Sequence, residues 1–424
     1  MFANFKQIFN PTNKDLRKKI YFTFLCLFVF KLGTTIVVPG IDKASLGTEN
    51  LGILELMNVM GGGALEQFSI FALGVAPYIT AQIIIQLLSM DIVPYLAELS
   101  KQGGTGRAKL NQITRYVGIA LAFVQGYMFS FAFVSNGTAI DYLTFALFLT
   151  AGTSLLLWIG DQITAQGVGN GISLIIAAGI IASLPSSFLT TWKNFVVSGS
   201  TQVVAFGITK FVLFVIVYIA IILGVVYVET SERRIPIQYA NKSNSKTSKQ
   251  SYIPFKLNSS GVIPVIFASA LISIPGFLSN FIKNDSFTLF VNKYLTTDTI
   301  VGFIIYIICI FAFSYFYTFL QLKPNELSDD LSRNGGFIPG IRPGEETKNY
   351  ISKVLKRITT VGALALSIIA ALPIVFGALT GLPSSVRVGG TGLLIVVGVA
   401  LETYRQIDSE LVTRKFSRGM RGRR

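Results

Sequence analysis

The chain has 424 residues, of which 51% are hydrophobic, 12% aromatic and only 13% charged, with a formal net charge of +15 and no histidine. A soluble domain carries about a quarter charged residues, so this composition excludes an ordinary soluble enzyme and points to a chain that crosses a bilayer many times. Without histidine the commonest metal ligand and the commonest general base are both missing, and no catalytic residue, metal or cofactor is expected.

The basic segment 1–19 leads into a first apolar stretch, 20–38. Its full length and the lack of a small-residue cleavage site before the next polar stretch predict a retained span rather than a cleaved leader. Lys31 lies inside it, where a functional charge and a snorkelling or bundle-facing lysine fit equally. Cys26 here and Cys309 further on fall within apolar runs, where a thiol behaves as a small hydrophobe. The stretch ELMNVMGGGALEQFSIFALGVAPYITAQIIIQLL (55–88) is too long for one span and is broken by Gly61, Gly62, Gly63 and Pro77. A short half-helix followed by a second span over 70–89 is expected, with irregular backbone at that depth buried in protein or lining a cavity.

Further spans are expected at 113–134, 142–160, 171–189 and 204–228, with a Gly-rich turn, GDQITAQGVGNGISLII (160–176), before the fifth. A polar loop, 229–260, begins ETSERRIPIQYANK, and the seventh span, 261–281, opens NSSGVIPVIF with polar groups at the membrane edge. The eighth span, 300–322, is followed by a second polar loop, 323–357, then by spans at 358–378 and 391–407 and a basic tail, 408–424. Ten spans put both termini on one side. With loops assigned alternately, 28 of the 36 Lys and Arg fall on one face and five (Lys43, Lys193, Lys283, Lys293, Arg387) on the other. Basic loops stay inside, so both termini are expected in the cytoplasm.

Both polar loops are too hydrophilic for lipid and too short to be domains. They carry Arg233, Arg234, Arg333 and Arg342, whose planar donor forks suit carboxylate or phosphate. Topology-setting charge explains the number of basic residues. It does not explain NGGFIPGIRPGEET (334–347), where Gly and Pro stiffen the backbone around one arginine, so a large acidic or phosphate-bearing docking partner is expected.

Six stretches, SIFALGVAPYITAQIIIQLL (69–88), GVGNGISLII (167–176), RRIPIQYA (233–240), LNSSGVIPVIFA (257–268), GGFIPGIRPGEET (335–347) and VGGTGLLIVVGVALET (388–403), resemble the bacterial SecY family of protein-translocation channels in order and across essentially the whole chain. The resemblance implies an all-α polytopic membrane protein of the bacterial cytoplasmic membrane. Its ten transmembrane helices would form two inverted halves of five (20–190 and 191–407) around a central hourglass pore. The implied function is to move unfolded secretory polypeptides across the membrane and to release transmembrane segments sideways into lipid.

Carried over by motif, the pore ring would be Val75, Ile79, Ile172, Ile176, Ile266 and Ile395. The plug would lie at about 53–68, with Gly61, Gly62, Gly63 and Leu65, and the lateral gate would include Gln82, Gln86 and Asn258. Arg233, Arg234 and Arg342 would dock a motor or ribosome. The implied partners are the small membrane subunits SecE and SecG, the SecA motor ATPase, the ribosome, signal peptides and translocating polypeptides, and membrane lipid. The chain departs from the family at Gly392, where many relatives have Ser.

From the residues alone, Val75/Ile79 and Ile172/Ile176 are i, i+4 pairs and share a helical face, a spacing that fits lipid, core and pore alike. An ion-coupled secondary transporter of a small solute is the alternative; it would need intramembrane titratable groups, and the ten stretches hold no Asp or Glu away from their ends. No G-x-x-x-x-G-K-[ST] is present, and GGTGRAK (103–109) lacks that spacing, so the chain is not expected to be an enzyme and any driving energy would come from a partner.

Overall fold

The computed structural model describes residues 14–39, 55–90, 92–133, 138–197, 204–239, 251–282, 285–297, 299–382 and 384–421. Most of the expected N-terminal segment, the first residues of the expected plug and the tip of the first polar loop lie outside the described residues. Ten helices coincide with the ten apolar stretches: α1 (Lys14–Gly33), α3 (Ala76–Leu88), α5 (Gly103–Phe133), α6 (Ala139–Gln166), α7 (Gly171–Trp192), α8 (Val204–Thr230), α9 (Ile263–Ile282), α11 (Ile300–Gln321), α13 (Glu345–Thr380) and α14 (Ser384–Arg421). Four shorter helices lie between them: α2 (Glu55–Met60), α4 (Pro94–Lys101), α10 (Asp285–Tyr294) and α12 (Pro324–Arg333). Among the described residues, five helices are by themselves long and apolar enough to cross a membrane: α6, α7, α8, α11 and α13.

Two departures from the expected spans have plain causes. The second span, expected over 70–89, becomes helical only at Ala76, because Pro77 occupies the first turn, where a missing N–H is harmless. Residues 61–75 instead form consecutive, mostly buried turns with Glu66 and Gln67 exposed, and Gly62, Gly63 and Gly74 adopt positive φ. At 13 residues α3 is about 20 Å long, short of the roughly 30 Å hydrocarbon core. Helix α13 departs in the other direction. Its 36 residues make about 54 Å of helix, so its first turns rise out of the bilayer.

Those extra turns support a feature that the apolar pattern did not disclose. The two polar loops join in one three-stranded sheet of order β2-β1-β3, with β1 Glu232–Tyr239, β2 Ser251–Lys256 and β3 Gly336–Phe337. Strand β1 pairs antiparallel with β2 from Glu232↔Lys256 to Ile237↔Ser251, and with β3 at Gln238↔Phe337 and Tyr239↔Gly336. Ile235 and Ile237 alternate inward from β1 and meet Phe255, Leu331 and Ile338, with Ile351 and Leu355 of α13 beneath. The loops therefore share a small core of their own, a platform on the face of the molecule to which the basic loops belong.

Candidate functional site: an apolar waist, its seal and a polar platform

The six positions expected to form a ring converge. Val75, Ile79, Ile176, Ile266 and Ile395 are all buried in one hydrophobic cluster, and Ile172 packs against it partly buried. They come from the residue capping α3, from α3 itself, and from α7, α9 and α14. Asn170 sets the entry of α7 by accepting hydrogen bonds from the backbone N–H groups of Ile172 and Ser173, which places Ile172 and Ile176 one turn apart on the inward face. Gly392 stands against the same cluster: a Cβ there would come within 2.8 Å of Ile180 Cγ2. Glycine lets α14 approach α7 beside Ile395.

Beside these residues lies a cavity of about 210 Å³. Ile79, Ile172, Ile176 and Ile266 line it together with polar groups from Gln82, Asn111, Asp161, Thr164, Asn170 and Ser173. Asp161 forms an ion pair with Arg115 across α5 and α6, so the acid in the cavity wall is neutralised. A polar-lined vestibule therefore ends on aliphatic side chains, the arrangement that dewets a narrow passage.

From the other side the waist is closed by α2 and the turn after it. Val59, Met60 and Ala64 belong to the same hydrophobic cluster as the ring positions. Gly62 and Gly63 adopt φ of 71° and 82°, and Gly62 lies against Gly179 of α7, where a Cβ on Gly179 would stand 2.2 Å from the Met60 carbonyl oxygen. Only glycines allow this crossing. Gly61 is buried with them, whereas Leu65 turns away into a second cluster with Phe68, Leu73, Phe129 and Leu149. The segment is tied to the chain after α1: Val38 N–H donates to Phe68 O at 2.9 Å and Ile70 N–H to Ile36 O at 3.0 Å. The Lys31 ammonium donates to the Gly62 carbonyl oxygen at 3.4 Å.

The three polar residues expected at a lateral gate part company. Gln86 Nε2 of α3 donates to the Tyr317 hydroxyl of α11 at 3.2 Å, joining the two halves of the chain. Gln86 Oε1 is buried without a hydrogen-bond partner. Phe267 of α9 packs edge-on to both Phe313 and Tyr317, each at 5.7 Å. Gln82 lines the vestibule. Asn258 makes its hydrogen bonds within its own half: Nδ2 donates to Glu229 Oε1 at 2.6 Å and to Gly261 O at 2.8 Å, and Oδ1 accepts from Ser260 Oγ at 2.9 Å. Tyr317 was legible only as an aromatic in an apolar run. The polar tip in the middle of such a run was the available signal.

On the platform, Arg233, Arg234 and Arg342 are all exposed. Arg234 is braced by Glu232 at 2.7 Å and lies 4.8 Å from the Tyr252 ring, and the hydrogen bond it donates to the Glu232 carboxylate raises its pKa. The Arg342 loop is fixed through its backbone: Thr347 Oγ1 donates to Arg342 O and Ser328 Oγ to Gly344 O, both at 2.8 Å. Gly344, with φ 99° and ψ −130°, occupies a conformation open in practice only to glycine. The loop's stiffness and the freedom of its guanidinium thus come from different atoms. At the platform's foot, burial holds the Lys256 ammonium below the ordinary lysine range, with Arg405 adding to the effect.

A family model described as SecY matches residues 69–404. The chain is 45% identical over 435 residues to the protein translocase subunit SecY of Staphylococcus carnosus (strain TM300), covering 100% of both chains. Among solved structures it is similar in fold to one described as "The plug domain of the SecY protein stablizes the closed state of the translocation channel and maintains a membrane seal", with a TM-score of 0.69, 20% identity, and 94% of this chain and 93% of that one covered. A second is described as "Sec61 in the Canine ribosome-channel complex from the endoplasmic reticulum", with a TM-score of 0.65, 19% identity and the same coverage.

Proposed function

The chain belongs to the SecY family, and from that premise we propose that it is the channel-forming subunit through which unfolded polypeptides cross the bacterial cytoplasmic membrane and apolar segments leave sideways into lipid. The observation that carries this reading is the convergence of six aliphatic positions from four helices on one dry cluster, with a polar vestibule on one side and a glycine-hinged segment on the other. An aliphatic constriction excludes water and ions when empty and offers a passing chain no fixed polar site.

The finer assignments follow the same reading. The ten long helices are ten spans in two halves of five, with both termini in the cytoplasm, a reading that the distribution of basic residues supports. The plug spans about 53–68, and its described part is held across the waist by the Gly62–Gly179 crossing and the Lys31 contact. The gate lies between α3 and α5 on one side and α9 and α11 on the other. Gln86 and Tyr317 form its clasp, with Gln82 beside the vestibule and Asn258 at the cytoplasmic start of α9. An emerging apolar segment gains about 0.8 kcal/mol per buried methylene, whereas one hydrogen bond between membrane helices contributes about 0.6–2 kcal/mol, so the clasp yields to a hydrophobic passenger and not to a polar one. Arg233, Arg234 and Arg342 present fixed positive charge to a ribosome or to the SecA motor, with SecE and SecG as small membrane partners. The transporter alternative finds no support in the cavity, whose Asp161 is already paired with Arg115.

The test is the waist itself. In proteoliposomes, the triple substitution Ile79→Gly, Ile176→Gly and Ile266→Gly raises resting ion conductance at least tenfold while the protein still elutes as a monodisperse species. An unchanged conductance removes the ring.

A further inference from the structure

Glu229 is a carboxylate 6% exposed at the end of α8, where an apolar side chain would pack without the cost of burying a charge. Its Oε1 accepts from Asn258 Nδ2 at 2.6 Å. Asn258 is 4% exposed and spends its remaining capacity on Gly261 O and Ser260 Oγ, which cap the entry to α9. Two residues after Glu229, Ser231 O accepts from Leu257 N–H at 2.9 Å. The β1–β2 ladder starts at the next pair, Glu232↔Lys256. The end of α8, the foot of the platform and the start of α9 are therefore one hydrogen-bonded unit.

Two further helices enter it. Arg405 of α14 donates to the Glu229 carbonyl oxygen, and α13 presses Gly362 so closely on Leu257 O that a Cβ would stand 2.2 Å away. The helices gathered here, α9 and α14, are the ones that carry Ile266 and Ile395. We propose that the Glu229–Asn258 hydrogen bond is the joint through which displacement of the cytoplasmic platform reaches the waist, with Glu229 as a positioning residue for the gate helix α9. The inference rests on the docking and ring assignments given under Proposed function, and what it adds is the path between them. A platform on flexible stalks would move without moving the pore. This one is bonded to the two helices of the C-terminal half that hold ring side chains.

The experiment compares wild type, Glu229→Leu, Glu229→Gln and Asn258→Leu in proteoliposomes, with ribosomes stalled on a secretory chain as the probe. Glu229→Leu and Asn258→Leu each bind ribosomes within about twofold of wild type but lose about tenfold in ribosome-induced conductance, the scale of one hydrogen bond to a charged group. Glu229→Gln keeps an acceptor for Asn258 and restores most of the response. Hydrogen exchange of residues 258–268, measured without ribosomes, rises in both Leu variants and returns toward wild type in Glu229→Gln. Wild-type conductance in both Leu variants, or unchanged exchange, overturns the joint, and so does loss of ribosome binding in step with conductance. If wild type itself binds no ribosomes, the docking assignment fails separately and the joint stands or falls on the exchange data. Should Glu229→Leu fail to survive extraction, Asn258→Leu carries the same comparison from the opposite partner.

Discussion

On the platform of the two polar loops, directional bonds fix the exposed surface above a small apolar core. Two loops far apart in sequence meet in a β-ladder, Thr347 and Ser328 hold the Arg342 loop by its carbonyl oxygens, and Glu232 and Tyr252 brace Arg234. At the waist the ring side chains carry no polar group, and their cluster coheres by apolar contact. Directional bonds fix a surface in one shape, as a docking site needs. Apolar contact between separate helices tolerates sliding and separation at little cost until water enters. Rigidity and compliance are thus assigned to different chemistries within one chain.

That contrast can be broken at its rigid end first. Arg342→Glu reverses a fixed charge on a stiff loop, and co-sedimentation with ribosomes and motor-driven export into vesicles should both fall below detection while the protein remains inserted and folded. Gly344→Ala forces a Cβ into backbone geometry that disfavours it by about 1–3 kcal/mol; platform amides should exchange about tenfold or more faster, with waist amides unaffected. At the compliant end, Lys31→Met keeps the apolar stem and removes the donor to Gly62, and resting conductance should rise about tenfold, with Lys31→Arg restoring the seal. The smallest effect is expected for Gln86→Leu, which deletes the bond to Tyr317. Insertion of a marginally hydrophobic test segment should become about threefold more efficient, on the scale of 0.6 kcal/mol for such bonds.

The apolar runs located the long helices because bilayer length and hydropathy leave few alternatives. The ring was legible through its motifs, since i, i+4 spacing alone could not separate Ile172 and Ile176 from lipid-facing pairs. The platform sheet was not legible. Its strands read RRIPIQY and SYIPFK, each with a proline that argues against a strand. Pro236 is accommodated because β3 pairs only with Gln238 and Tyr239, leaving the proline with one neighbouring strand. That pairing joins residues about a hundred positions apart, beyond the reach of local pattern. Asn258 illustrates a different limit: its polarity in an apolar setting was visible, but its partner, Glu229, sits on the preceding helix and reads in sequence as an ordinary helix-end acid.

The aliphatic make-up of the waist has a consequence for its response to pH. None of Val75, Ile79, Ile172, Ile176, Ile266 and Ile395 can gain or lose a proton. Acidifying one compartment therefore leaves the contacts of these six side chains unaltered.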